Sequence, residues 1–164
     1  LGADVPACLE GGISLGLGYG DHMQRLDRED TPRHHWVMCT MEQGLSTPAV
    51  FKHFDSRGEG RDHLPKALRP ADEAVLAEAE VMREVLQNDL EASAKELHPT
   101  LARAWKTVEE AGPLAVMLSG SGPTIAALAR DEEHAREIAQ NLASAPEIAS
   151  TIEVWGPSDP AKVE

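Results

Sequence analysis

Positive charge is scarce in this chain: 15 Lys and Arg stand against 28 Asp and Glu in 164 residues, a formal net charge of −13. Such a surface repels phosphate backbones and anionic headgroups, which argues against nucleic acid and membrane surfaces as partners. Any phosphate-binding site must then draw on backbone N–H groups, a metal or cations outside the chain. Cysteine is nearly absent. Cys8 and Cys39 form no C-x-x-C pattern, so no zinc site is expected, and both are expected buried as thiols in a reducing cytoplasm. No apolar run approaches membrane-spanning length. Of the seven His only His34-His35 cluster, with no Cys or carboxylate at ligand spacing, so no protein-held metal is expected. Neither a Met nor a signal peptide opens the chain. The expectation is a later part of a longer protein, from which an export signal could have been lost.

What is present has the balance of an ordinary soluble globular protein, 41% apolar and 26% charged, and the order of its elements points to an α+β fold. Residues 13–18 alternate apolar with small, and 35–41 form an apolar β-rich run, so both are expected as strands. Residues 18–21 read as a tight turn between them. The stretch 44–54 reads as a Pro-bearing loop leading to a short apolar run. Residues 56–69 are charged and apolar-poor and are taken as a linker or mobile loop. Beyond Pro70, Val75, Ala79, Met82 and Leu86 fit one helix face. Asn88 and Asp89 read as a cap for a helix carrying Leu90, Ala94 and Leu97. Leu101, Trp105 and Val108 mark a further helix, closed by Gly112-Pro113. Strands are expected at 114–119, 124–129 and 150–155, with a helix capped by Asp131 and faced by Ala135, Ile138, Ala139 and Leu142. That order predicts an antiparallel sheet with helices on one face.

Four stretches could carry chemistry. In Ser119-Gly120-Ser121-Gly122-Pro123-Thr124 the glycines let backbone amides approach an anion; a tight hairpin prefers the same residues, and composition does not separate the two. The run lacks the Lys and following helix of a Walker A loop. Gly16 to Gly20 only superficially resembles a dinucleotide fingerprint and reads as a strand ending in a turn. Asp4, held between Gly2 and Pro6 and followed by apolar Ala7-Cys8-Leu9, suits a packed segment. Its carboxylate could accept a proton, orient a hydroxyl or simply cap a turn or helix. Thr47-Pro48 with Phe51 could sandwich a flat ring or anchor the loop.

Taken in order, "LGADVPACLEGG", "GLGYGD", "STPAVF", "NDLE" and "MLSGSGPT" resemble the GHMP kinase superfamily, and within it the 4-diphosphocytidyl-2-C-methyl-D-erythritol kinases. The resemblance runs along nearly the whole chain and is weakest at 56–87 and after 130. It implies a truncated GHMP kinase fold. Residues 1–69 would be the end of the N-terminal (ribosomal protein S5 domain 2-like) domain, and 70–164 the ferredoxin-like α+β C-terminal domain. It implies Asp4 as catalytic aspartate, Thr47, Pro48 and Phe51 as substrate-binding residues, and Ser119, Gly120, Ser121 and Gly122 as the phosphate-region glycine loop. ATP and Mg²⁺ are the implied cofactors, and a small-molecule alcohol is the implied partner. The family's catalytic Lys and main ATP loop would lie upstream of Asp4, so this polypeptide alone is expected to be inactive. The strands at 13–18 and 36–41 are expected to extend a sheet begun upstream. Another GHMP small-molecule kinase, or a non-catalytic binding protein on the same fold, remains the alternative.

Overall fold

The computed structural model describes residues 4–20, 22–27, 29–58, 60 and 78–159, with Asp4 through its backbone alone. Helix α1 (Asp4–Glu10) leads into a hairpin of β1 (Ser14–Leu17) and β2 (His22–Arg25). Strand β3 (His34–Thr40) is followed by α2 (Thr47–Arg57), a one-turn α3 (Ala79–Met82), α4 (Glu91–Leu97) and α5 (Pro99–Glu110). The chain then runs through β4 (Ala115–Leu118), β5 (Ile125–Ala129), α6 (Glu132–Leu142) and β6 (Ser150–Gly156).

Four strands form an antiparallel sheet in the order β4-β5-β3-β6. In its register Val37 stands opposite Ala127 and Glu153, and Cys39 opposite Ile125 and Thr151. Because side chains alternate along a strand, Val37, Cys39, Ile125, Ala127 and Ala129 share one face, and all are fully buried. The stripes of α5 (Leu101, Ala104, Trp105, Val108) and α6 (Ala135, Ile138, Ala139, Leu142) close on that face as one core. Both helices start where side chains satisfy the free amides of the first turn. His98 Nδ1 accepts from the Leu101 N–H at 3.1 Å, and Asp131 Oδ1 accepts from the His134 N–H at 2.8 Å. Burying one Leu or Ile of these stripes contributes roughly 1.5–3 kcal/mol.

Several expectations change. The stretch from Thr47 is no loop: Pro48 sits in the first turn of α2, where its missing N–H breaks no helix bond, and Gly58 in the left-handed region (φ 65°) ends it. Ser56 and Arg57, assigned to the linker, are the last residues of that helix; most of that linker, and the helix start at Pro70, lie outside the described residues. The helix expected to reach Leu86 stops at Met82, because the Glu84 and Val85 amides bond three residues back, to Val81 and Met82, and tighten the chain. Strand β2 has no apolar alternation, only a half-buried Met23, and owes its conformation to pairing with β1. Along α1, Cys8 and Leu9 face solvent, so the packing expected of that segment and the burial expected of Cys8 do not hold. The helix turns that side outward and leaves Ala7 half-buried. Strand β3, expected to extend an upstream sheet, has β5 on one side and β6 on the other. The sheet therefore hydrogen bonds across the expected division at 69/70.

Candidate functional site

The site gathers around the turn between β4 and β5. The Ser119 N–H donates to Thr124 O at 2.9 Å and the Gly122 N–H to Ser119 O at 3.0 Å. Both glycines adopt positive φ, 59° at Gly120 and 79° at Gly122, a region costly for side-chain-bearing residues. They differ in surroundings. A Cβ on Gly120 would meet nothing within 4 Å, whereas one on Gly122 would lie 2.8 Å from Leu118 Cδ1. Gly120 thus presents bare backbone to open space, and Gly122 allows the turn to close onto the core.

The start of α2 meets this turn. Thr47 Oγ1 and Ser121 Oγ lie 2.7 Å apart, a hydrogen bond that either hydroxyl can donate. Thr47 and Phe51 are four residues apart on α2 and share a face. Phe51 is 49% exposed and Pro48 is also exposed, while Val50, on the adjacent side of the helix, is in the core. An accessible aromatic therefore stands on the same helix face as the hydroxyl that reaches the glycine turn. Farther along α2, His53 Nδ1 lies 3.2 Å from Ser93 Oγ, and Arg57 pairs with Glu96, both partners being on α4.

Asn88, read from the sequence as a simple cap, does more. Its Oδ1 accepts from the Leu90 N–H at 2.9 Å, which closes a turn ahead of α4 rather than capping the helix's first turn. Its Nδ2 donates to Leu118 O at 2.9 Å and to Gly120 O at 2.7 Å. A lone Asn before a helix signals a cap, but nothing in the sequence shows which distant carbonyls its amide reaches.

The structure thus brings Thr47 to Ser121, with Pro48 and Phe51 on the same helix as Thr47 and Ser119, Gly120 and Gly122 in the same turn as Ser121. The Asp4 side chain lies outside the described residues; its backbone forms the first residue of α1. Among the described residues no group of three or more His, Cys, Asp or Glu could hold a metal ion, and no helix is long and apolar enough to cross a membrane.

The architecture is α+β, an antiparallel sheet with helices packed on one face and a glycine turn at one end. Residues 71–148 match the family described as GHMP kinases C terminal. Over that segment the chain is similar to the GHMP kinases. It is 38% identical over 165 residues to a 4-diphosphocytidyl-2-C-methyl-D-erythritol kinase of Cutibacterium acnes, an alignment covering 99% of this chain and 52% of the relative. It is 44% identical over 144 residues to the kinase of that name from Streptomyces coelicolor, covering 85% and 46%. Its fold matches a crystal structure of 4-(cytidine 5'-diphospho)-2C-methyl-D-erythritol kinase with a TM-score of 0.71 at 27% identity, over 94% of this chain and 53% of that one. A homoserine kinase from Cytophaga hutchinsonii shares the fold alone, at 21% identity and a TM-score of 0.61, over 92% and 50%. The chain spans about half the length of the curated relatives it matches.

Proposed function

We propose that the protein takes part in ATP-dependent phosphorylation of the 2-hydroxyl of 4-diphosphocytidyl-2-C-methyl-D-erythritol, in isoprenoid precursor synthesis. The relatives' names support the reaction class and the substrate. The observation that carries the reading to this chain is the Thr47–Ser121 hydrogen bond, which sets an exposed aromatic beside an open glycine turn. On this reading Phe51 stacks on the cytosine ring and Pro48 borders it. The backbone at Gly120 and the hydroxyls of Ser119 and Ser121 stand beside the phosphates. Asp4 orients the acceptor hydroxyl and takes its proton. Positioning and charge stabilisation are most of what an enzyme contributes to phosphoryl transfer. ATP brings the phosphoryl group, and the open backbone at Gly120 suits the approach of a phosphate. Mg²⁺ belongs to the same reading through the charge of the triphosphate, but the described residues offer no carboxylate cluster to hold it, so no step is assigned to it. A cytoplasmic location and a division of the chain into a remnant of the N-terminal domain and a C-terminal domain go with this proposal. The proposed division is residues 1–69 and 70–164, with β3 pairing into the sheet of the later part.

The test uses the full-length gene product. Turnover of the cytidine-linked alcohol with ATP is expected. Phe51→Ala should weaken cytidine diphosphate binding about tenfold, within the range of one base–aromatic stack. Asp4→Asn should cut turnover far more than nucleotide affinity. Absence of turnover on this alcohol, or unchanged cytidine affinity in Phe51→Ala, would refute the assignment.

A further inference from the structure

We infer that Asn88 is a positioning residue: its side-chain amide holds the glycine turn in register with α2, so that α4 frames both halves of the site. The inference deepens the function proposed above and rests on it. A closed circuit of contacts carries it. From the α4 entrance, the Asn88 Nδ2 hydrogens reach Leu118 O and Gly120 O, on either side of Ser119. One residue beyond Gly120, the Ser121 hydroxyl meets Thr47 on the first turn of α2. Down α2, His53 returns to Ser93, and Arg57 to Glu96, in the body of α4. Ser93 is fully buried and His53 half-buried, so this return contact is a packed one.

The geometry is specific to an amide. Two carbonyls need two hydrogens on one nitrogen, and the Leu90 N–H needs an acceptor on the same side chain. Only Asn or the longer Gln offers both. Gly120 has no side-chain contact within 4 Å of its Cβ position, so packing does not fix this open side of the turn and hydrogen bonds must. A turn that presents backbone to a reacting phosphate works only if it is held before the ligand arrives. On this reading Asn88 acts through the turn it holds at Leu118 and Gly120.

Asn88→Asp separates the two roles. A carboxylate still accepts from the Leu90 N–H but cannot donate to Leu118 O and Gly120 O, and instead faces both carbonyls with negative charge. Amide hydrogen exchange on the chain by NMR reads the clamp without reference to activity. The Ser119 and Gly122 amides should lose about tenfold protection, the scale of one ordinary hydrogen bond. The Leu90 amide should keep its protection. In the full-length gene product, kcat should fall about tenfold with cytidine diphosphate affinity unchanged, because Phe51 stays on α2. Asn88→Ala should lose protection at Leu90 as well, which marks loss of the entry turn apart from loss of the clamp.

Unchanged exchange at Ser119 and Gly122 in Asn88→Asp would overturn the clamp. Loosened exchange with unchanged kcat would overturn the positioning role and leave Asn88 a structural turn residue. If the wild-type enzyme fails to phosphorylate the alcohol, the functional reading falls, and the clamp stands or falls on the exchange result alone.

Discussion

Two glycines in one turn, both with positive φ, give a comparison in which most terms cancel. Replacing either by Ala imposes the left-handed penalty, about 1–2 kcal/mol. Either replacement also narrows the unfolded ensemble by about the same amount, roughly 0.4–1 kcal/mol in the stabilising direction. The difference lies in what the new methyl meets. At Gly120 there is open space, while at Gly122 the methyl would sit 2.8 Å from Leu118 Cδ1 and 3.5 Å from its Cγ. Leu118 is fully buried in the cluster that includes Ile125, Val37 and Leu101. It can yield only by moving against packed neighbours, and overpacking of that kind costs about 1–3 kcal/mol. Gly122→Ala should therefore be less stable than Gly120→Ala by about 1–3 kcal/mol, equivalent to about 3 °C of Tm per kcal/mol for a chain this size. Urea unfolding followed by tryptophan fluorescence, with a common slope, measures it. Equal losses in the two variants, or a larger loss at Gly120, would refute the claim that Gly122 is needed for close packing on Leu118.

Further outcomes follow from single groups. Burial pushes the Cys39 thiol up to about 12, whereas Cys8 is exposed; a thiol reagent at pH 8 should titrate one of the two cysteines quickly in the native protein and both in denaturant. Burial by itself would raise the pKa of Asp27, but the Arg25 hydrogen bond, the Ile13 N–H at 2.7 Å and the Arg25 charge outweigh it and hold the carboxyl below its ordinary 3.8. A depressed carboxylate stabilises the fold above its unfolded pKa and loses that contribution as pH falls through the lower folded value. Asp27→Asn should accordingly flatten the stability–pH curve below about pH 4, and an unchanged acid limb in urea titrations would contradict it. A double-mutant cycle of Thr47→Val and Ser121→Ala should show a coupling of about 0.5–1 kcal/mol in unfolding free energy; strict additivity would deny the link between α2 and the turn.

How much of this was legible depended on whether a signal was local. Helices α5 and α6 announce themselves by apolar residues three and four apart and, for α6, by an initiating Asp131, and both lie where expected; the His98 that caps α5 carries no such signal. Strand β5, an unbroken apolar run, is buried along its whole length. Helix α2 does not read as a helix from the sequence because Pro48 suggests a loop, although in a first turn it is permissive and Gly58 marks the far end. Strand β2 could not be read at all, since its conformation comes from its neighbour.

The candidate site divides in the same way, and the division bears on its chemistry. The residue types were visible: a glycine–serine turn, a Thr-Pro start and an exposed Phe. Their assembly was not, because Thr47 and Ser121 are separated by 74 positions and Asn88 reaches carbonyls 30 and 32 residues ahead. What the assembly lacks follows from the composition. Thr47, Pro48, Phe51, Asn88 and Ser119 to Gly122 include no cationic side chain, in a chain of net charge −13. An anion entering here meets oriented amides and hydroxyls, whose fields are short-ranged and depend on fixed geometry. A flexible lysine can follow a phosphate that is slightly misplaced, but a backbone turn cannot. On the proposed function, the scarcity of positive charge in this chain puts the demand on a rigid turn, and with it on the amide of Asn88.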